Sequence, residues 1–222
     1  MEESVCPSVD RTDRTLSYLP HHLTTLYYLF HHLTMRIVII PGMGCTPVAT
    51  SNWYSWFARE MTQQPSVDEC ILCDFPDPYQ CKEHIWVPFV LQEIGLDEDT
   101  VLVGHSSGSA CAMRLLESDD CPVLKGVILV AAAYTDLGDE EERRSGYFSR
   151  PWNWTRMKEG AKKIVCFHGT DDHLIPVEEA RHIAQQMEGG NFEYHELPDM
   201  SHFFRPWQGI LDVMDGIIKT SS

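Results

Sequence analysis

Residues 100–118 read TVLVGHSSGSACAMRLLES, and the bend inside this stretch decides the fold. The run at 100–103 is apolar and rich in β-branched side chains, as a strand covered on both faces requires. Past the bend, Ala110, Met113, Leu115 and Leu116 recur at helical spacing. Between the two stands Gly104-His105-Ser106-Ser107-Gly108, the pattern G-x-S-x-G. A serine at such a strand-to-helix turn has its hydroxyl exposed. Gly104 and Gly108 must stay small, because side chains there would crowd the neighbouring strand or helix. The helix start also aims amides and positive dipole at any negative charge that develops beside Ser106. The bland alternative is a tight structural turn capped by serine.

The same alternation runs outward from this stretch. Strand-like runs stand at RIVII (36–40), ECILC (69–73), TVLVG (100–104), GVILVAAA (126–133), KIVCF (163–167) and NFEYHEL (191–197). Amphipathic stretches fall at 52–63, 83–94, 107–118, 177–188 and 206–219, with Pro88 expected to kink or shorten the second. Strands alternating with helices imply right-handed crossovers. The expected fold is a compact α/β sheet of about six mostly parallel strands, with helices on both faces.

In such a sheet ligands bind beyond the carboxyl ends of the strands. Each strand end carries suggestive residues: PGMG at 41–44, GHS at 104–106, GTDD at 169–172 and DMSH at 199–202. A serine nucleophile needs a base, and the base needs an orienting carboxylate. Ser106, an aspartate at 171 or 172, and His202 follow one another in the chain order that α/β-hydrolases use. His195 falls in a strand, His182 on a helix and His84 beside a helix start, so none is as well placed as His202. Spacing alone does not choose between Asp171 and Asp172. The backbone amides of Met43 and Ser107 are the expected oxyanion donors.

Composition limits the function classes. The chain of 222 residues carries 33 acidic against 17 basic side chains, a formal net charge of −16. That balance argues against nucleic acid or an anionic membrane as partner, since both need a basic face. No span reaches the ~18 apolar residues of a membrane helix. Eight cysteines, several inside apolar runs, read as reduced buried thiols and point to the cytoplasm, with the nucleus as a further location. Cys70 and Cys73 lie three apart on a strand and so face opposite sides, which disfavours a shared metal. Residues 1–34 differ from the rest: a polar start is followed by a stretch in which HHLT occurs twice. They are expected to be a disordered N-terminal extension, leaving 35–222 as the hydrolase domain.

Longer stretches carry a resemblance. IVIIPGMG, NWYSWF, FPDP, HIWVPF, VGHSSG, AYTDLGDEEERRSGYFSRPWNW, GTDDHLIP and SHF resemble the small serine hydrolases of the retinoblastoma-binding protein 9 type, within the α/β-hydrolases. The likeness covers nearly all of 35–220 and implies a compact fold without the first two strands of larger hydrolases. The family pattern G-x-x-D-x-x-[IV]-P falls on residues 169–176. That implies Asp172 as the acid, with Ser106 as nucleophile and His202 as base. The L-x-C-x-E motif behind the family's name is absent, and the corresponding region reads LQEIGLDEDT. Binding of the retinoblastoma protein is therefore not expected.

The sequence reading is a serine hydrolase that cleaves a small soluble ester or amide, with amino-acid esters and amides among the candidates. It needs neither cofactor nor metal. The insert at about 135–158 is expected to wall the substrate pocket through Tyr147, Trp152 and Trp154. The alternative is a catalytically weak hydrolase fold that serves as a protein-binding module.

Overall fold

The computed structural model describes residues 35–219. The expectation for 1–34 lies outside the described residues. Six strands form one sheet: β1 (Met35–Ile40), β2 (Val67–Ile71), β3 (Thr100–His105), β4 (Gly126–Val130), β5 (Ile164–Gly169) and β6 (Phe192–Leu197), in the order β2-β1-β3-β4-β5-β6. All five pairings are parallel. This is the parallel α/β sheet that the alternation of strands and helices implied. Among the described residues, seven α-helices connect and flank the strands: α1 (Tyr54–Thr62), α2 (Glu83–Pro88), α3 (Ser107–Leu116), α4 (Glu140–Ser145), α5 (Trp154–Glu159), α6 (Val177–Met187) and α7 (Gln208–Lys219).

The four inner strands β1, β3, β4 and β5 are buried along their length because both faces are covered, while the edge strands β2 and β6 are partly exposed and carry charged residues. Val38, Ile40, Leu102, Leu129 and Cys166 belong to the core shared with α2, α3, α5 and α6. Their strand neighbours Ile37, Ile39, Val101, Val103, Val130 and Phe167 belong to the opposite core, beneath α1 and α7. Cys73 joins the first core and Cys70 borders the second, so the C-x-x-C pair is split by the sheet. Burial pushes the thiols of Cys111 and Cys166 up to about 12. No helix among the described residues is long and apolar enough to cross a membrane.

Three boundaries differ from the sequence pattern. β2 occupies 67–71, earlier than ECILC suggested. β4 ends at Val130 because Ala131 takes a φ of 50°, which no strand tolerates. After Pro88 the α-helical turn passes into a π-helical one at Phe89–Ile94. Proline has no N–H to donate back along the helix, so the ladder must change there.

The chain order reverses between β1 and β3. β2 lies outside β1 on one side, and β3 begins the march toward β6 on the other. A crevice opens beyond the strand ends at such a reversal. The PGMG loop after β1 and Ser106 after β3 both stand there.

Candidate active site

Ser106 sits between the last residue of β3 and the first of α3 with φ 56° and ψ −121°. That strained geometry is held from both ends. The Ser106 amide donates to the Val130 carbonyl at 2.9 Å, and the Ser106 carbonyl accepts from the Ser109 amide at 2.8 Å. A Cβ at Gly104 would stand 2.5 Å from the Gly108 carbonyl oxygen, and one at Gly108 would stand 2.1 Å from that of Ile40. Only glycine lets β1, β3 and α3 meet so closely. The Ser109 hydroxyl braces the turn from behind, 2.8 Å from the Gly104 oxygen and accepting from the Val130 amide at 3.0 Å.

His202 stands on a loop after β6 in which Asp199, Ser201 and Phe203 all have positive φ. The two adjacent aspartates after β5 divide the work of holding it. Asp172 Oδ2 lies 2.8 Å from His202 Nδ1, and both side chains are buried. Asp171 Oδ1 instead accepts from the backbone amides of Met200 at 3.1 Å and Ser201 at 2.9 Å. Burial opposes ionisation of Asp172. The hydrogen bonds from His202 and from the Ile175 and Leu174 amides outweigh it, and the carboxyl is held below its ordinary value.

Ser106 and His202 line one cavity of about 520 Å³, together with Met43 and Gly42 of the PGMG loop. The Ser107 side chain is buried, so what Ser107 can offer this cavity is its backbone N–H. That amide is among the first of α3, which have no acceptor within the helix. A hydroxyl on a strained turn, an imidazole oriented by a buried carboxylate and amides at a helix start make up the set that acyl transfer requires. A second cavity of about 530 Å³ lies between β6 and α7, lined by Phe167, Glu193, His195 and Val213 among others. It holds none of these groups, so chemistry rather than size identifies the site.

The structure does not bring Tyr147, Trp152 and Trp154 to the cavity. All three pack on the core beside α3 instead. The cause is Arg114 of α3, whose side chain is fully buried. It donates to the carbonyls of Tyr147 and Arg150, pairs with Glu117 and lies 3.6 Å from the Trp152 ring centroid. A buried guanidinium needs acceptors and a π-face, and the insert supplies both. The first half of the same insert walls the cavity through Leu137, Asp139, Glu141 and Glu142. Burial, and then the neighbouring Asp139 and Glu141, raise the Glu142 carboxyl above its ordinary value.

The sequence reading missed Tyr54 and His105. His105 counted only as a variable position in G-x-S-x-G, and Tyr54 passed unremarked inside NWYSWF. In the structure they bond to each other at 2.7 Å beneath the site. Leu174, Ile175 and Phe204 also line the cavity. Each lies within three residues of Asp172 or His202, and that proximity could have drawn attention to them.

The family profile described as Serine hydrolase matches residues 37–205. Serine hydrolase RBBP9 of Rattus norvegicus is 40% identical over 168 residues, spanning 76% of this chain and 87% of that protein. Among solved structures, the ydeN gene product from B. subtilis superposes with a TM-score of 0.73 at 24% identity, covering 84% of this chain and all (100%) of that one. The esterase RhEst1 from Rhodococcus sp. ECU1013 gives a TM-score of 0.58 at 13% identity over 86% of this chain and 92% of its own. The two structures share the fold, and the profile and the rat relative establish the family: this chain belongs to the serine hydrolases and is a hydrolase.

Proposed function

We propose that this serine hydrolase cleaves small soluble esters or amides through an acyl-enzyme, with Ser106, His202 and Asp172 as its triad. The observation that carries the reading is the buried 2.8 Å bond between His202 Nδ1 and Asp172 Oδ2, in a site whose cavity also holds Ser106. With Nδ1–H donated to the carboxylate, His202 Nε2 is left as the acceptor. Ser106 Oγ attacks the substrate carbonyl carbon while Nε2 takes its proton. The amides of Met43 and Ser107 receive the oxyanion. Collapse of the tetrahedral intermediate breaks the ester or amide bond, and Nε2 returns the proton to the leaving alcohol or amine. Water, deprotonated by the same nitrogen, then attacks the acyl-enzyme and frees Ser106.

The cavity lining supports the substrate class. Met43, Leu137, Leu174, Ile175 and Phe204 offer apolar contact, while Asp139, Glu141 and Glu142 gather negative charge on one side. An amino-acid ester or amide presents a carbonyl, an apolar side chain and an ammonium group that suit such a lining. The acidic chain favours a small-molecule partner over nucleic acid or membrane, and its buried thiols suit a reducing compartment such as the cytoplasm or nucleus. Kinetics on an amino-acid ester and its N-acetyl counterpart test the assignment. The free ammonium ester should show the higher kcat/KM, and Glu142→Gln should narrow the difference mainly through KM. Equal kcat/KM for both, or a preference for the acetylated ester, would remove the ammonium from the reading.

A further inference from the structure

Four groups, of which Gly42, His105 and His202 line the cavity, form one continuous chain of hydrogen bonds. The Gly42 amide donates to the Tyr54 hydroxyl oxygen at 3.0 Å. Tyr54 Oη lies 2.7 Å from His105 Nδ1, and His105 Nε2 lies 2.9 Å from the His202 carbonyl oxygen. A carbonyl can only accept, so His105 must carry its proton on Nε2. Its Nδ1 is then an acceptor, and the tyrosine must donate to it. Every direction in the chain is thereby fixed: Gly42 to Tyr54, Tyr54 to His105, His105 to His202.

We propose that Tyr54 and His105 are positioning residues which lock the PGMG loop after β1 to the loop bearing His202, and so set the distance between oxyanion donor and base. The inference rests on the triad reading above. The two loops lie about 160 residues apart in sequence and on separate strand ends, so nothing local holds them in mutual register. His105 spans the gap by hydrogen bonds, since it ends β3 one residue before Ser106. It is 1% exposed, and Trp53 packs beside it at 5.9 Å between ring centroids. Burial, then the nearby His202, pushes the imidazole down to about 3. It therefore stays neutral when His202 becomes charged, and its tautomer does not change during turnover. Asn52 Nδ2–H also donates to the Tyr54 oxygen at 3.2 Å, so the hydroxyl is fully engaged.

Three substitutions separate this role from plain packing. His105→Gln keeps a side-chain amide N–H near the position of Nε2, whereas His105→Asn reaches only as far as Nδ1. Tyr54→Phe keeps the ring and deletes the hydroxyl. Tyr54→Phe and His105→Asn should lower kcat about 10- to 100-fold with KM little changed, since misplacement by a fraction of an ångström acts on the reacting geometry. His105→Gln should recover only the part of the loss carried by the bond to the His202 carbonyl, since it restores that donor but not the acceptor for Tyr54. Ser106→Ala, run alongside, tests the reading beneath. If Ser106→Ala is inactive while Tyr54→Phe and His105→Asn turn over at the full rate per folded molecule, the positioning role is wrong. If His105→Gln and His105→Asn lose activity equally and in proportion to a loss of folded protein, His105 is packing alone. Should Ser106→Ala remain active, the triad falls and the positioning role with it.

Discussion

Adjacent residues of like chemistry do different things at this site, and the difference is one of reach. Asp172 meets the imidazole of His202, while Asp171 meets the backbone of the loop that carries it. Asp172→Asn should lower kcat/KM by about 10⁴-fold, because the amide no longer favours the productive tautomer. Asp171→Asn keeps an acceptor oxygen for the two amides and should cost about tenfold or less. Steady-state kinetics on both variants check this, and the reverse ranking would exchange their roles. The buried imidazole makes a separate prediction about stability. His105 is held at about 3 against an ordinary 6.5, so the unfolded chain takes a proton that the folded one refuses. Stability then rises with pH between those values and falls by about 1.4 kcal/mol per pH unit on acidification below 6.5. Asp172 acts with the same sign, since its depressed value stabilises the fold above the unfolded carboxyl's range and is lost as pH falls through its folded value. Urea midpoints from about pH 6 to about pH 4 should therefore decline more gently in His105→Gln than in the parent. Equal slopes would contradict the neutral buried imidazole.

The insert between β4 and β5 shows how an element is assembled from short-range chemistry. Asp139 caps α4 by accepting from the amides of Glu141 at 2.8 Å and Glu142 at 3.1 Å. Glu140, Glu141 and Glu142 fill its first turn, Arg143 and Arg144 its last, and Gly146 closes it at a φ of 91°. Each placement matches the helix dipole or its termini, and together they hold a helix of only six residues. α4 therefore presents Glu141 and Glu142 to the cavity on a defined support. Arg114 fixes the rest of the insert to α3, the helix that begins beside Ser106. Arg114→Met should cost about 3–5 kcal/mol, because it strands buried acceptors, and thermal or urea unfolding would measure it. A loss under about 1 kcal/mol would show that the insert holds itself. The sequence reading named no helix in this insert, although GDEEERRSG holds the acidic first turn and the closing glycine of one. The direction of Tyr147, Trp152 and Trp154 was not legible, since an aromatic can wall a pocket or fill a core. The decision rested with an arginine that a helical pattern would place at the surface.

For the whole molecule, legibility followed how local each constraint was. The turn at Ser106 needs Gly104 and Gly108 within four residues of each other, and their backbone contacts forbid any larger side chain. Such a constraint is written in one short stretch. The four inner strands were equally plain, since burial on both faces leaves a nearly unbroken apolar run, whereas the edge strands β2 and β6 mix Asp68, Glu69, Glu193 and Glu196 into theirs. His105, Tyr54 and the division between Asp171 and Asp172 depend on loops from four strand ends meeting at one point, and no single stretch records that meeting. The boundary at residue 35 is a prediction at this scale. A chain beginning at Met35, where β1 starts, should fold and hydrolyse esters as the full chain does, which soluble yield and kcat/KM would establish. Loss of either would assign residues 1–34 a part in the fold. The central claim is that hydrolysis passes through a covalent bond to Ser106. Mass spectrometry of the protein after reaction with a fluorophosphonate tests it most directly. One adduct should form, map to the peptide containing Ser106, and vanish in Ser106→Ala while persisting in Ser107→Ala. An adduct that survives Ser106→Ala, or hydrolysis by a protein that never takes the label, would contradict it.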